Sequence, residues 1–178
     1  MRGICGRRVV MRYFAYGSNL SLRDFERWCA ERGHAGGLLT PVEPVFLPHA
    51  TLVFRYHSAP RGGGALDVRP CPGSLVPGML FEVTDGGWDA LDAKEGVAAG
   101  CYRRIEVRVR AVGGAEHNAV TYTVCDHQHG GFVDPAPGYA EVVREGLRDF
   151  GLPEVALDAA VQHHAPPPGR LILAKWRA

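Results

Sequence analysis

The 178-residue sequence has no long apolar run and no excess of charge of either sign. No segment approaches the ~18 apolar residues of a membrane-spanning helix, and the start, MRGICGRRVVM, has no apolar stretch long enough for a signal peptide. Twenty basic residues against nineteen acidic ones give a net charge of +1, which points to neither nucleic acid nor an anionic membrane. We therefore predict a cytoplasmic protein with a small-molecule ligand and with no nucleic-acid or membrane partner.

Metal-binding and disulfide-forming patterns are missing as well. The five cysteines lie at irregular positions without a C-x-x-C pair, which predicts neither a disulfide framework nor a zinc ribbon and favours reduced thiols. His127 and His129 beside Asp126 could be metal ligands, but no other cluster completes a ligand set. We interpret them as solvated loop histidines and expect no metal.

The fold class follows from the order of the sequence patterns. An apolar content of 46% suits a single domain over residues 1–178, with 1–11 as a candidate disordered segment, Met11 as an alternative start, and 165–178 as a C-terminal tail. Strand patterns come first and helical patterns are inserted or appended, without regular βαβ alternation. The sequence therefore predicts an α+β fold, with a small, largely antiparallel β-barrel or mixed sheet wrapped by helices.

The helical patterns have recognisable ends. LSLRDFERWCAERG predicts an amphipathic helix that ends at Gly33, and DGGWDALDAKEG predicts a short helix with Asp85 as N-cap and Gly96 as C-cap. PGYAEVVREGLRDFG and LPEVALDAAVQHH predict two more. The tail APPPGRLILAKWRA fits either an edge strand or an oligomer contact, so a homodimer is a candidate assembly.

The strand patterns occupy the middle of the chain. After a Gly/Pro-rich stretch, strands are predicted at Ala50–Tyr56, ALDV and LVPGMLFEV. YRRIEVRVRAV alternates apolar and charged residues with period two, and the Gly113-Gly114 turn after it predicts a hairpin with AVTYTVC. The glycine-rich RGGGALDV lacks a phosphate-loop pattern and favours a loop where something approaches the backbone closely.

Glu95 stands out because a carboxylate in the last turn of a helix faces the negative end of the helix dipole. In an apolar pocket, burial and the dipole would both raise its pKa, as a general base near neutral pH requires. The alternative is a solvated glutamate at a frayed helix end, and local sequence alone favours that alternative.

The stretch YFAYGSNLS raises a similar choice. An aromatic strand ends in Tyr16, Gly17, Ser18 and Asn19, where glycine allows close backbone approach and a helix start leaves N–H groups unpaired. Such a turn suits a carboxylate or an oxyanion, but it also suits an ordinary helix N-cap. Tyr102 and Tyr139 fit core aromatics, with a place at a pocket rim as the alternative.

Four segments together resemble the γ-glutamylcyclotransferase family in order and spacing. They are YFAYGSNL, GGGALDV, LDAKEGV followed by CYRRIEV, and PAPGYAEVV, and the match runs from about Met11 to Leu157. The resemblance implies a small β-barrel wrapped by helices and no metal or organic cofactor. It also implies acyltransferase or lyase-type chemistry linked to glutathione metabolism, in which a γ-glutamyl amide closes to 5-oxoproline and releases an amino acid or amine.

The resemblance also implies roles for particular residues. Glu95 would be the catalytic general acid/base, and it should face the same pocket as the backbone of Gly17 and Ser18. The spacing EGVAAGCY looks like the branch that acts on γ-glutamyl amino acids. The substrate-binding residues would be Tyr13, Phe14, Ala15, Tyr16, Gly17, Ser18, Asn19, Tyr102 and Tyr139.

Alternatives to this function stay open. They are a γ-glutamylamine cyclotransferase and a non-catalytic small-ligand-binding module on the same fold. Arg103 or Arg104 would either select an acidic leaving group or line a solvated strand face.

Overall fold

The computed structural model describes residues 11–177, so the segment 1–10 lies outside the described residues, including most of the candidate disordered segment. Within this range the strands are β1 (Arg12–Ala15), β2 (Leu39–Ser58), β3 (Gly63–Val83), β4 (Tyr102–Ala111) and β5 (Glu116–Val124). The α-helices are α1 (Leu22–Glu31), α2 (Gly87–Lys94), α3 (Tyr139–Asp149), α4 (Val155–Val161) and α5 (Gly169–Arg177).

The five strands form a closed barrel in the order β1-β3-β2-β4-β5. Every pairing is antiparallel except that of β1 with β5, where Arg12 lies opposite Ala119 and Tyr13 opposite Val120. The fully buried side chains of the barrel strands include Phe14, Phe54 and Leu80. This confirms the predicted α+β fold with a small, largely antiparallel barrel.

Strands β2 and β3 form one long hairpin, which is longer than the sequence predicts. The pairing runs from Leu39 opposite Val83 to Ser58 opposite Gly63, and it includes the proline-containing residues 39–49, where no strand was predicted. The ladder shifts register between Pro48 and Ala50, and His49 there adopts a φ of 57°. This shift and a second one between Pro41 and Glu43 accommodate Pro48 and Pro41, which cannot donate to a ladder.

Helices α1 and α2 confirm the predicted helical segments, with one correction at each end of α2. Ser21 caps α1 by accepting a hydrogen bond from the Asp24 N–H at 3.2 Å. Asp85 does not cap α2; the N-cap is Gly86, whose φ of 81° suits glycine. At the other end the C-cap is Glu95 and not the predicted Gly96, whose φ of 64° reverses the chain directly after Glu95.

The last third covers the barrel with helices, and α3 packs directly on the turn after β1. A Cβ atom at Gly146 would lie 2.6 Å from the Ser21 nitrogen, so only glycine allows this contact.

The prediction of an edge strand in the tail is wrong, because 169–177 forms α5. Its Ile172 is fully buried, and the Trp176 ring contacts Phe46. None of the helices in the described part of the chain is long and apolar enough to cross a membrane.

Candidate active site

The turn after β1 is a 3-10 helix rather than a simple bend. It spans Ser18–Leu20, and its first internal bond is donated by the Leu20 N–H to the Gly17 carbonyl at 3.0 Å. The N–H groups of Gly17, Ser18 and Asn19 precede that bond, so they lie outside the intrahelical ladder. Because α1 follows directly with Ser21 as its cap, the turn is anchored between a barrel strand and a helix.

Glu95 is the C-cap residue of α2, and its side chain points toward this turn. Asn19 Nδ2 donates a hydrogen bond to Glu95 Oε1 at 2.8 Å and another to the Tyr13 hydroxyl at 3.0 Å. The Asn19 Oδ1 atom is buried and has no hydrogen-bond partner among residues 11–177.

The surroundings raise the pKa of the Glu95 carboxyl above its ordinary value. Burial is the largest cause, because it disfavours the charged form, and nearby Asp92 adds to the rise. The cations of Lys94 and Arg61 and the bond from Asn19 all oppose it without cancelling it.

Glu95 and the Gly17–Ser18 turn, which we expected to face one pocket, line the same cavity of about 280 Å³. A cavity of this size admits a small molecule. The sequence-predicted residues that line it are Tyr13, Tyr16, Gly17, Ser18, Asn19, Glu95, Tyr102 and Tyr139.

Phe14 and Ala15 are not among the residues that line this cavity. Both are fully buried in the barrel wall, where Phe14 pairs with Leu80 and Ala15 with Met79. Alternate residues of a strand point to opposite faces, so Phe14 faces away from the side that carries Tyr13. The family motif YFAYGSNL includes Tyr13, Phe14 and Ala15 of this strand, so it could not show which of them line the cavity and which are buried in the barrel wall.

The tyrosines of the cavity are fixed by hydrogen bonds to backbone. Tyr102 donates to the Leu66 carbonyl at 2.7 Å, the Leu66 N–H donates to the Tyr139 hydroxyl at 3.3 Å, and Tyr16 donates to the Tyr122 carbonyl at 2.8 Å. Burial raises the pKa of Tyr16, Tyr102 and Tyr139, so these phenols stay neutral. They form a rigid, uncharged part of the cavity wall.

Sequence reasoning missed three cations that line the cavity, Arg32, Arg61 and Lys94. The Lys94 side chain is only 4% exposed, and its Nζ lies 2.9 Å from an Asp24 oxygen. Burial lowers the pKa of Lys94, although Asp24 opposes this. The only sequence signal for Lys94 as a cavity residue was its position directly before Glu95. For Arg61 the only signal was its position in the glycine-rich loop.

Arg103 and Arg104 do not line the cavity. Arg104 forms two hydrogen bonds of 2.7 Å to the Asp92 carboxylate and lies over the Trp88 ring. Arg103 is exposed and 4.0 Å from Asp126. The hypothesis that either arginine selects an acidic leaving group is therefore wrong, and the alternative of a solvated strand face fits Arg103.

The described residues contain no group of three His, Cys, Asp or Glu side chains placed to hold a metal ion. His129 Nε2 lies 3.0 Å from the Val124 carbonyl, and His127 lies in a short 3-10 turn. Cys29, Cys71, Cys101 and Cys125 are free thiols.

Comparisons with known proteins identify similar sequences with related names. The model of the AIG2-like family matches residues 75–158. The gamma-glutamylcyclotransferase of Bos taurus is 32% identical over 150 residues, which cover 79% of this chain and 72% of the bovine protein. The human protein of the same name is 29% identical over 149 residues, with coverage of 79% and 72%.

The fold is shared with solved structures. One named gamma-glutamyl cyclotransferase has a TM-score of 0.72 at 24% identity, covering 88% of this chain and 89% of its own. A yeast cyclotransferase described as specific to glutathione has a TM-score of 0.60 at 10% identity, with coverage of 85% and 94%.

Proposed function

This chain belongs to the γ-glutamylcyclotransferase family, and from that membership and the geometry of the cavity we propose the reaction it catalyses. It cyclises the γ-glutamyl group of small γ-glutamyl amides to 5-oxoproline and releases an amino acid or amine. The observation that carries the proposal is the 2.8 Å bond between Asn19 Nδ2 and Glu95 Oε1, which holds a half-buried carboxylate beside the Gly17–Ser18 turn in one cavity.

The chemistry needs few groups from the protein because nucleophile and electrophile belong to one substrate molecule. The substrate α-nitrogen attacks its own γ-carbonyl carbon, and a five-membered ring forms when the molecule is held in a folded conformation. A carbon–nitrogen bond forms to the α-nitrogen, the bond to the leaving nitrogen breaks, and no water is consumed.

Glu95 moves the protons in this proposal. Its carboxylate takes a proton from the substrate α-ammonium and delivers it to the departing nitrogen, acting as base and then as acid. The α-nitrogen loses two protons overall, and the released group gains two when it leaves as an ammonium ion, so the reaction is balanced. A raised pKa suits a group that must both accept and donate a proton near neutral pH.

The turn binds the anionic part of the substrate. The N–H groups at Gly17 and Ser18 are donors for the α-carboxylate or for the tetrahedral oxyanion, and Asn19 holds the turn against Glu95. Tyr102 and Tyr139, fixed through Leu66, limit how the folded substrate can lie.

Release of 5-oxoproline from γ-glutamyl-alanine tests the proposal. We expect the wild-type protein to produce 5-oxoproline and alanine, and Glu95→Gln, which keeps the shape but removes the acid, to lose activity by about 10²-fold or more. Glu106→Gln is the matched control, since Glu106 is an exposed residue of β4. A wild-type protein that leaves a panel of γ-glutamyl amino acids and amines intact would favour the non-catalytic binding module instead.

The cellular setting is a further part of the proposal. Four free thiols support a reducing compartment such as the cytosol. The homodimer and the absence of a nucleic-acid partner stay predictions.

A further inference from the structure

Arg61 lies at the tip of the long β2–β3 hairpin and contributes to the wall of the cavity. It ends a short 3-10 turn, Ala59–Arg61, and is followed by Gly62 with a φ of 71°. Its neighbours Pro60 and Gly62 are exposed, whereas Arg61 itself is half-buried. Arg61 therefore lies where the cavity wall meets solvent.

The glycines after Arg61 fix the hairpin tip in place. The Gly64 N–H donates to the Asp134 carbonyl at 2.7 Å, and its own carbonyl accepts from the Ala136 N–H at 2.9 Å. A Cβ atom on Gly64 would lie 2.5 Å from the Val133 oxygen, so no other residue fits there. The glycine at position 64 thus allows the hairpin to pack closely against the backbone of residues 133–136. This contact holds the hairpin tip, which carries Arg61, in position.

The guanidinium of Arg61 is held but mostly unpaired. Its Nη2 donates to Ser18 Oγ at 3.1 Å, and its Cζ lies 4.8 Å from the centre of the Tyr139 ring. Among residues 11–177 it has no carboxylate within the 4.0 Å of an ion pair, and Ser18 is the one hydrogen-bond partner of its five N–H donors. A positioned guanidinium with free donors in a cavity wall is suited to a carboxylate, which it can bind through two parallel bonds.

The substrate class of the proposed function offers two carboxylates. The glutamyl half must reach Glu95 and the turn, which lie beside the buried Asn19, Tyr102 and Tyr139. A leaving group that extends from there to the exposed hairpin tip would bring its own carboxylate to Arg61.

We propose that Arg61 binds the carboxylate of the leaving amino acid and thereby selects γ-glutamyl amino acids over γ-glutamylamines. This inference rests on the proposed function and assigns a specificity-determining residue to it. An amine leaving group has no carboxylate, so it leaves the guanidinium without a counter-ion.

The test compares two substrates that differ only in that carboxylate. γ-Glutamyl-alanine and γ-glutamyl-ethylamide have leaving groups related by loss of the carboxylate alone. We measure kcat/KM from 5-oxoproline release for the wild type, Arg61→Gln, Arg61→Lys and Arg69→Gln. Arg69 is a matched control because it is an exposed arginine of β3 that does not line the cavity.

We expect Arg61→Gln to lower kcat/KM for γ-glutamyl-alanine by roughly 10- to 100-fold, the usual effect of a charge-assisted bond, and that for γ-glutamyl-ethylamide by less than about 3-fold. Arg61→Lys keeps the positive charge but loses the planar guanidinium that can form two parallel bonds, so its kcat/KM for γ-glutamyl-alanine should lie between those of the wild type and Arg61→Gln. Arg69→Gln should match the wild type on both substrates.

Two results would overturn the assignment. An equal loss on both substrates would mean that Arg61 acts on the shared glutamyl half, and no loss on either would mean that it binds no part of the substrate. The wild type gives an independent measurement should the variants unfold, since it must prefer γ-glutamyl-alanine by about 10-fold or more. A wild type inactive on both substrates contradicts the proposed function itself, and the assignment of Arg61 falls with it.

Discussion

Asn19 and Glu95 are 76 residues apart in the chain and are joined by a hydrogen bond of 2.8 Å from the amide nitrogen to the carboxylate. The same nitrogen donates to the Tyr13 hydroxyl at 3.0 Å. The turn after β1 and the end of α2 are therefore held in one geometry.

The pH dependence of activity should report the pKa of Glu95. Burial raises that pKa, and the base must be ionised to accept a proton, so kcat/KM falls as the pH drops through the raised value. We expect an acid limb with a midpoint clearly above ~4.3, the value for an ordinary glutamate. A pH profile of kcat/KM from pH 4 to 9 checks this, and a midpoint at the ordinary value would contradict the role of burial.

Asn19→Ala should lower kcat by roughly 10- to 100-fold, because Glu95 loses the bond that aims it. The bond from Asn19 favours the ionised carboxylate, so its loss should also move the acid limb to higher pH. Asn118→Ala, at an exposed position of β5, is the control and should leave the profile unchanged. An unaltered acid limb in Asn19→Ala would mean that the bond does not tune the acid.

Glu95→Gln should stabilise the protein at neutral and higher pH. The folded-state pKa is raised, so the protonated carboxyl contributes stability that is fully present below the unfolded pKa of ~4.3 and is lost as pH rises through the folded value. Above that value the buried charge is unfavourable, by about 1.4 kcal/mol for each unit of the rise, and glutamine removes it.

Urea denaturation at pH 4 and pH 8 measures this difference. The gain from Glu95→Gln should be present at pH 8 and shrink at pH 4, whereas Glu106→Gln, at an exposed position, should stay within about 0.5 kcal/mol at both. A gain of equal size at both pH values would show that ionisation of Glu95 is not its cause.

The parts of the fold that were predictable from sequence are those with a local signal. The alternation of β4 and the capped, amphipathic α1 specify their own structure, and both match. Residues 39–49 and 169–177 were missed because prolines hid a bulged strand and a helix, and only packing on the barrel stabilises them.

The site was predictable to a similar extent. The order of the family segments brought Glu95 and the Tyr16–Asn19 stretch together, although nothing local links residues so far apart. Arg61 was not predictable, because its direction depends on the contact of Gly64 with Val133 and Asp134.

Gly17→Ala should weaken substrate binding with little effect on folding. The φ of Gly17 is −111°, outside the left-handed region, so the effect comes from space: a Cβ atom would lie 3.2 Å from the Tyr139 hydroxyl. Displacing that hydroxyl disturbs its bond with the Leu66 N–H, and we expect KM for γ-glutamyl-alanine to rise by several-fold to about 10-fold.

Steady-state measurement of KM for Gly17→Ala and for the control Gly113→Ala tests this prediction. A Cβ atom at Gly113 would meet no atom within 4 Å, so this variant should keep the wild-type KM. An unchanged KM in Gly17→Ala would indicate that the cavity tolerates movement of Tyr139.

Ile172→Ala should show that the C-terminal segment is part of the folded structure. Ile172 is fully buried, and removing most of its side chain leaves a cavity, which costs about 2–5 kcal/mol. Leu171 is 41% exposed, so Leu171→Ala should change the free energy of unfolding by less than about 0.5 kcal/mol. Because the residues that line the cavity all precede α5, both variants should keep the wild-type kcat/KM at temperatures where they are folded. Equal, small effects on unfolding, together with a change in sedimentation, would instead support the earlier alternative that this segment is an oligomer contact.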